Sequence, residues 1–531
     1  MRIKTAWRAG AAALALAAGL GLGAGAPGAT AAELRWAFQG DAETMDPYGR
    51  FEIFTLGFLG NVYEPLVRYD ADLTLEPALA TAWEQVDDTT WRFDLRRDVT
   101  FHDGSAFTAS DVVFSFERAM KEGSALAPTL GPVREVVALD DHTVEFRLER
   151  PQPILLNTLA FWYVMDEDWA RSVGAEDPVN LREGISNAAA LEANGTGPFQ
   201  LVEREPGART VLEVHDGWWD EARHNLDRVV FTPVEADSTR VAALLSGQVD
   251  MIDPLPLQDA ERVAATAGVR VIQRPELRVI FLGMDQWRDR LLGSELDTNP
   301  FQDPRVRRAV WQAIDTDAIV QQVFRGAAQP VALMLGPGVT GYSETLDERP
   351  PHDPEAARAL LAEAGYPDGF SVTLDCPNDR YINDEAVCQA VTSMLGRAGI
   401  DVTVNARSKS VYFNDILGQE TSFYLLGWTP GNLDAIDVLK PVLHSRGPGT
   451  GFFNIGGYQD DRIDALTAAI EVATDTEDRA EMIAETFEIH RDAVGHVPLY
   501  LQYVSWGVRE GVALDQRADG VLPLWTVTVE E

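Results

Sequence analysis

The chain has 531 residues, 46% of them hydrophobic, and carries 83 acidic against 44 basic side chains, for a formal net charge of −39. That length exceeds what one hydrophobic core of about 250–300 residues serves, so two or three domains are expected, and the apolar content with thirteen tryptophans excludes a disordered polar chain. The acidic charge runs along the whole sequence and excludes a protein built to hold nucleic acid or anionic lipid headgroups, both of which it repels.

Arg2, Lys4 and Arg8 precede an Ala/Leu/Gly run over residues 9–26, and Ala29-Thr30-Ala31 follows. A basic start, an apolar middle and a small-residue cleavage site predict a secretory signal over residues 1–31, with a mature exported chain beginning near Ala32 or Glu33. The run is too short and too rich in Gly and Ala for a membrane anchor, and no later run is long enough to span a bilayer. Without the three basic residues of that segment the net charge is −42.

Residues 33–39 (ELRWAFQ) alternate apolar and polar and predict a first strand, followed by a loop over 41–47 (DAETMDP). An apolar helical segment then leads into 61–67 (NVYEPLV). Residues 89–95 place Trp91, Phe93 and Leu95 on one face of a half-buried strand. Thr108 and Asp111 form a capping box for a helix over 108–120, with Val113, Phe116 and Met120 on its apolar stripe. Another strand is expected over 141–148, and an apolar segment over 151–165. The break at 194–199 (NGTGPF) is the sharpest in the chain and marks a domain border.

Strands over 199–203, 210–214 and 229–233 come next, then a helix stopped by Gly247 and a strand over 249–252, which is a crossover unit. The pattern restarts near Arg274. A buried strand over 277–284 precedes helices capped by Asp303-Pro304 and Asp353-Pro354. Strands over 370–375, 400–405 and 423–427 with a helix over 384–398 make an α/β lobe, and two helical patterns over 461–493 lead to a last strand over 498–508. Cys376 and Cys388 are the only cysteines. In an oxidising compartment they predict one local disulfide; two buried thiols are the alternative, which geometry decides.

Catalytic signatures are absent. The eight histidines do not pair at metal-ligand spacing, and no H-E-x-x-H, G-x-S-x-G or G-x-x-x-x-G-K-[ST] occurs. No metal and no cofactor are therefore expected, and no enzyme. A secreted hydrolase with two dispersed carboxylates is the alternative of another class, since such a pair leaves no local signature.

Seven pieces in order carry a resemblance: Met45-Asp46-Pro47, 61–67 (NVYEPLV), 77–83 (PALATAW), 91–118 (WRFDLRRDVTFHDGSAFTASDVVFSFER), 195–199 (GTGPF), 303–315 (DPRVRRAVWQAID) and 356–365 (AARALLAEAG). Together they resemble the family 5 extracellular solute-binding proteins of ABC transporters, the dipeptide, oligopeptide and nickel-binding group. The resemblance implies an α/β, two-lobed venus-flytrap periplasmic-binding-protein fold of type II with an extra inserted domain. Projected here, lobe I is 33–60, 194–274 and 496–531, the inserted domain 61–193 and lobe II 275–495. It also implies a monomer that closes over a small solute and is read by ABC permease subunits. A short peptide is the leading ligand, an oligosaccharide or opine-like solute the second, nickel or a nickel chelate the third.

The stretch 423–434 (FYLLGWTPGNLD) carries the ligand question. A buried strand ends at Gly427, and Trp428 with the turn after it is a natural cleft wall. In peptide-binding relatives the Gly-Trp pair is followed three residues later by an aspartate that holds the peptide ammonium; here that position is Gly431, with Asn432 next and the nearest carboxylate at Asp434. Either Asp434 takes the role or the ligand has no ammonium, because an unpaired buried charge costs several kcal/mol, roughly. Asp41 in the first loop, Arg380, Tyr381 and Asn383 in the loop between the cysteines, and Tyr503 on the last strand complete the expected ligand set. Trp506 faces either the hinge or the core.

Overall fold

The computed structural model describes residues 32–294 and 296–530. The expected signal segment and its cleavage site lie outside the described residues. Among those described, no helix is long and apolar enough to cross a membrane.

The alternating first segment forms the strand Glu33–Phe38, and it enters a sheet of eleven strands. Their order across the sheet is Ile400–Arg407, Phe370–Pro377, Phe423–Trp428, Val269–Met284, Val497–Arg509, Met251–Asp253, Glu33–Phe38, Arg228–Pro233, Arg209–Val214 and Phe199–Glu205, with Ala328–Pro330 paired to Val497–Arg509 off this path. Glu33–Phe38, Phe199–Glu205, Arg209–Val214, Arg228–Pro233 and Met251–Asp253 with their helices build one lobe, and Phe370–Pro377, Ile400–Arg407 and Phe423–Trp428 the other. This is the two-lobed type II binding-protein fold.

Two long antiparallel strands join the lobes. Val269–Met284 pairs Val269 with Arg509 at its start and Leu282 with Val497 near its end. The first lobe hydrogen-bonds to this pair through Met251–Asp253, the second through Phe423–Trp428. The restart expected near Arg274 is thus a change of register inside one strand, not an end of structure. Pro275 cannot donate to the ladder, and between the pairs Pro275–Tyr503 and Val279–Leu501 three residues face only Gln502. A slip of register moves side chains to the other face, which reads in sequence as a new element.

Helix starts follow their caps. Asp303 accepts from Arg305 N at 2.8 Å, and Asp353 from Glu355 N and Ala356 N at 3.0 and 2.9 Å, contacts worth about 1 kcal/mol each. The capping box is also present, Asp111 Oδ2 accepting from Thr108 N at 2.8 Å. That helix, Ala109–Ala119, lies on a separate four-stranded antiparallel sheet ordered Ala80–Asp87, Thr90–Leu95, Thr143–Leu148 and Val133–Asp140. Its Arg118 is fully buried and forms a two-pronged ion pair with Asp46, at 2.8 and 2.6 Å. This pair ties the loop carrying Met45-Asp46-Pro47 to the end of the 91–118 piece.

Candidate ligand cleft

In the first lobe Glu33–Phe38 lies between Arg228–Pro233 and Met251–Asp253, parallel to both, and helix Asp237–Ser246 carries the chain from one flank to the other. In the second lobe Phe370–Pro377 lies between Ile400–Arg407 and Phe423–Trp428 in the same parallel sense. Strand order reverses at each central strand, so loops 39–48 and 378–383 open from topological switch points at the carboxyl ends, where open α/β sheets bind ligands. Trp428 pairs with Val279, directly beside the register break. Both sets of strand ends therefore point at the region where the lobes join.

Trp428 is half-buried and donates Nε1–H to the Asp437 carbonyl at 2.5 Å. Its ring centroid is 4.8 Å from that of Phe453 and 6.5 Å from that of Phe452, and Phe452 is 53% exposed, so the loops present an aromatic face to solvent. Just before it, Gly427 N donates to Tyr381 Oη at 2.9 Å. A Cβ at Gly427 would stand 2.6 Å from Ile280 Cδ1 and 2.9 Å from the Tyr381 ring, and this close approach is what requires glycine.

Loop 378–383 is braced from behind. Asp384 accepts from Arg380 N and Tyr381 N at 3.0 Å each, and the predicted disulfide Cys376–Cys388 ties the strand end to helix Asp384–Ala398. The Arg380 guanidinium lies 5.0 Å over the Tyr381 ring. Partial desolvation, and after it the like charge of Arg278, lower the Arg380 pKa from its ordinary value. Arg278, from the register break, donates to Thr429 Oγ1 at 3.0 Å and stands 3.8 Å from Glu276, which accepts from Gln502. Burial raises the Glu276 pKa, against the pull of Arg278 and Gln502. The two guanidiniums gather positive charge beside Trp428, set against Glu276 on one side and against the buried Asp384 behind the loop, in a chain that is otherwise strongly acidic.

Other expected site residues are engaged elsewhere. Asp434 is buried in a two-pronged pair with Arg479, at 2.7 and 2.9 Å, and also accepts from Ile436 N, so the loop does not turn it outward. Asp41 binds Arg204 at 2.7 Å and Gly207 N at 2.6 Å within the first lobe. Asn383 is exposed, in the left-handed region at φ 54°, and donates to the Val323 carbonyl at 3.1 Å. Asn432 accepts at its carbonyl from Asn157 Nδ2 at 3.1 Å, a contact between the segment 151–165 and the second lobe. Tyr503 is half-buried opposite Pro275 at the break, and Trp506 is fully buried.

Sequence reasoning missed Glu276, Arg278, Gln502 and Asp437. Glu276 and Arg278 lie in a stretch that reads as strand interior, where only Pro275 before them signals a break, and Gln502 lies inside the last long strand. Asp437 sits among Ile436 and Val438 and reads as the polar side of a helical turn. Histidines distant in sequence do meet: His490 Nε2 and His496 Nδ1 are 3.0 Å apart, and His102 packs edge-on to His215 at 4.8 Å between ring centroids. Among the described residues no group of three or more His, Cys, Asp or Glu is placed to hold a metal.

Comparison with known proteins gives the family and the fold. The sequence description of "Bacterial extracellular solute-binding proteins, family 5 Middle" matches residues 74–450. The chain is 26% identical over 484 residues to the glutathione-binding protein GsiB of Salmonella choleraesuis, covering 90% of each. In fold it is similar to HbpA2 from Haemophilus parasuis, with TM-score 0.80 at 22% identity over 94% of this chain and 100% of that one. It is also similar to the periplasmic binding protein DppA from Helicobacter pylori in complex with the peptide STSA, with TM-score 0.70 at 24% identity over 94% and 98%.

Proposed function

The chain belongs to the bacterial extracellular solute-binding proteins of family 5, and from that premise we propose that it is exported to the periplasm, captures a short peptide between its lobes and hands it to the permease of an ABC importer. Residues 1–31 act as the export signal. Lobe I is 33–60, 194–274 and 496–531, the inserted domain 61–193 and lobe II 275–495, and the closed monomer is the form the permease reads.

The observation that carries the peptide reading is the cationic pole of Arg278 and Arg380 beside the half-exposed Trp428. A free carboxylate at one end of a peptide suits two guanidiniums, which present planar arrays of N–H donors. The body of the peptide then lies across Trp428 and Phe452, with Tyr381 and Tyr503 on the hinge side. Asn432, at the end of the turn, is within the same wall. Asp41 and Asp434 shape the loops through their arginines and leave ligand contact to their neighbours. The glutathione and STSA peptide carried by the two relatives are of this chemical class.

Thermal unfolding against di- to pentapeptides, glutathione, oligosaccharides and divalent metals tests this. A bound peptide at a hundredfold excess over its dissociation constant stabilises by about 2.7 kcal/mol. Stabilisation by oligosaccharides with none by any peptide overturns the reading. Mass spectrometry of what co-purifies with the protein gives the ligand directly.

A further inference from the structure

The bulge in the first crossing strand sets one carboxylate against the two guanidiniums of the cleft. The Glu276 side chain is 17% exposed, stands 3.8 Å from Arg278 Nε, and is drawn more weakly by Arg380 from loop 378–383. The other crossing strand faces it with Gln502, whose Nε2 donates to Glu276 Oε1, and Tyr503 follows opposite Pro275. Asp384 lies behind the loop, accepting from the Arg380 and Tyr381 backbone amides. Among the described residues no other carboxylate is within ion-pairing distance of Arg278 or Arg380, so Glu276 is the anion that these two cations share in the empty cleft.

Gln502 is 6% exposed, and its Oε1 has no hydrogen-bond partner. The orientation of this amide is therefore fixed by Glu276 alone. As it stands, its N–H donates to the carboxylate; turned over, its carbonyl accepts the O–H of a carboxylic acid, so Gln502 serves Glu276 in either protonation state. Burial already raises the Glu276 pKa from its ordinary value, against the pull of Arg278, Gln502 and Arg380. A second carboxylate brought to the same two guanidiniums repels the first, and in a partly desolvated site one of the two gives up its charge. We infer that Glu276 sets the preference of the site for a ligand carboxylate: it holds the place beside Arg278 and Arg380 while the cleft is empty, and on arrival of the ligand it takes one proton from solvent onto a carboxyl oxygen and turns that O–H to Gln502 Oε1. The negative charge of the ligand then replaces that of Glu276 beside the guanidiniums. The inference rests on the peptide reading above and adds that capture of a free carboxylate is linked to uptake of a proton.

The test is titration calorimetry of the full protein with trialanine and the peptide STSA, each as free acid and as C-terminal amide, in buffers of low and high ionisation enthalpy between about pH 8 and about pH 5.5. The α-carboxyl stays ionised over this range, and acid and amide share their amino terminus, so their affinity ratio reports the proton taken up by the protein. Asp437, raised to about 6 by burial in the turn after Trp428, acts on acid and amide alike and cancels in the ratio. Because binding takes up a proton, the preference of wild type for the free acid is expected to grow by about tenfold as the pH falls across the range, with proton uptake for the acid only. Glu276→Gln is expected to show no such uptake and a preference independent of pH, about tenfold larger than that of wild type at the alkaline end. A wild-type ratio that is flat with pH, which needs no variant to observe, or proton uptake that persists in Glu276→Gln overturns the inference and leaves the peptide reading standing. If wild type binds none of the four probes, the peptide reading falls and this inference with it.

Discussion

Asp46 and Arg118 meet across 72 residues of sequence, with no exposure of either side chain. Arg118 also donates to the Ala175 and Asp177 carbonyls, and Asp46 accepts from Val179 N and Tyr48 N, so the pair satisfies both charges and pins three stretches of chain to one point. Removing one partner strands a buried charge. Arg118→Met is expected to cost about 3–5 kcal/mol in urea unfolding, and the double variant Asp46→Leu, Arg118→Met distinctly less, because the neutral pair leaves no orphan charge. Equal losses in the two variants would show that packing, not charge, holds the site. At this scale sequence reasoning was uneven. Gly427-Trp428 was legible because a buried strand ending in a flat aromatic has few other uses, and the disulfide because only two cysteines exist. Asp437 was hidden, because only the folded turn shows that its carboxylate covers Gly431 and lacks a cation.

The junction between helix Thr476–Ala493 and the crossing strand Val497–Arg509 is built on two buried histidines, His490 and His496, 3.0 Å apart. Burial lowers both, His490 well below its ordinary value and His496 to about 3, with Arg307 adding to the effect. The folded chain thus refuses protons that the unfolded chain accepts at its ordinary histidine pKa of 6.5. Their contribution to stability is complete above that value and is lost as the pH falls from there toward about 3. Asp253, raised to about 7 by burial, works in the opposite sense, so the informative measurement is a comparison. The melting temperature of wild type should fall more steeply between about pH 7 and pH 5 than that of His490→Asn, His496→Asn. Parallel slopes would remove the histidines from the account. Among the elements themselves, capped helices and alternating strands were readable because their signals are local. The sixteen-residue strand Val269–Met284 was not, because its proline and its slip of register imitate a boundary.

Over the whole molecule, acidic charge dominates and lysine is scarce: the described residues contain only Lys121, Lys409 and Lys440, so arginine supplies nearly all the positive charge. Arginine makes the forked pairs that anchor the interior, at Asp46, Asp434 and Asp250 among others, while the excess carboxylates repel one another across the surface. Salt shortens the reach of that repulsion from about 30 Å at 0.01 M to about 8 Å at 0.15 M and leaves buried pairs nearly untouched. The melting temperature is therefore expected to rise with sodium chloride over this range; a fall would mean that exposed ion pairs outweigh the general repulsion. The two-lobed architecture was legible from seven ordered motifs, but the way one lobe flows into the other was not, and it is there that the mechanics reside. At the register break Glu276, Leu277 and Arg278 lie opposite the single residue Gln502, so two more residues are threaded into one crossing strand than into the other. The surplus leaves Arg278 out of the ladder, and its bond to Thr429 staples the bulge to the turn after Trp428, so any change of pitch between the crossing strands is expected to carry the cleft wall with it.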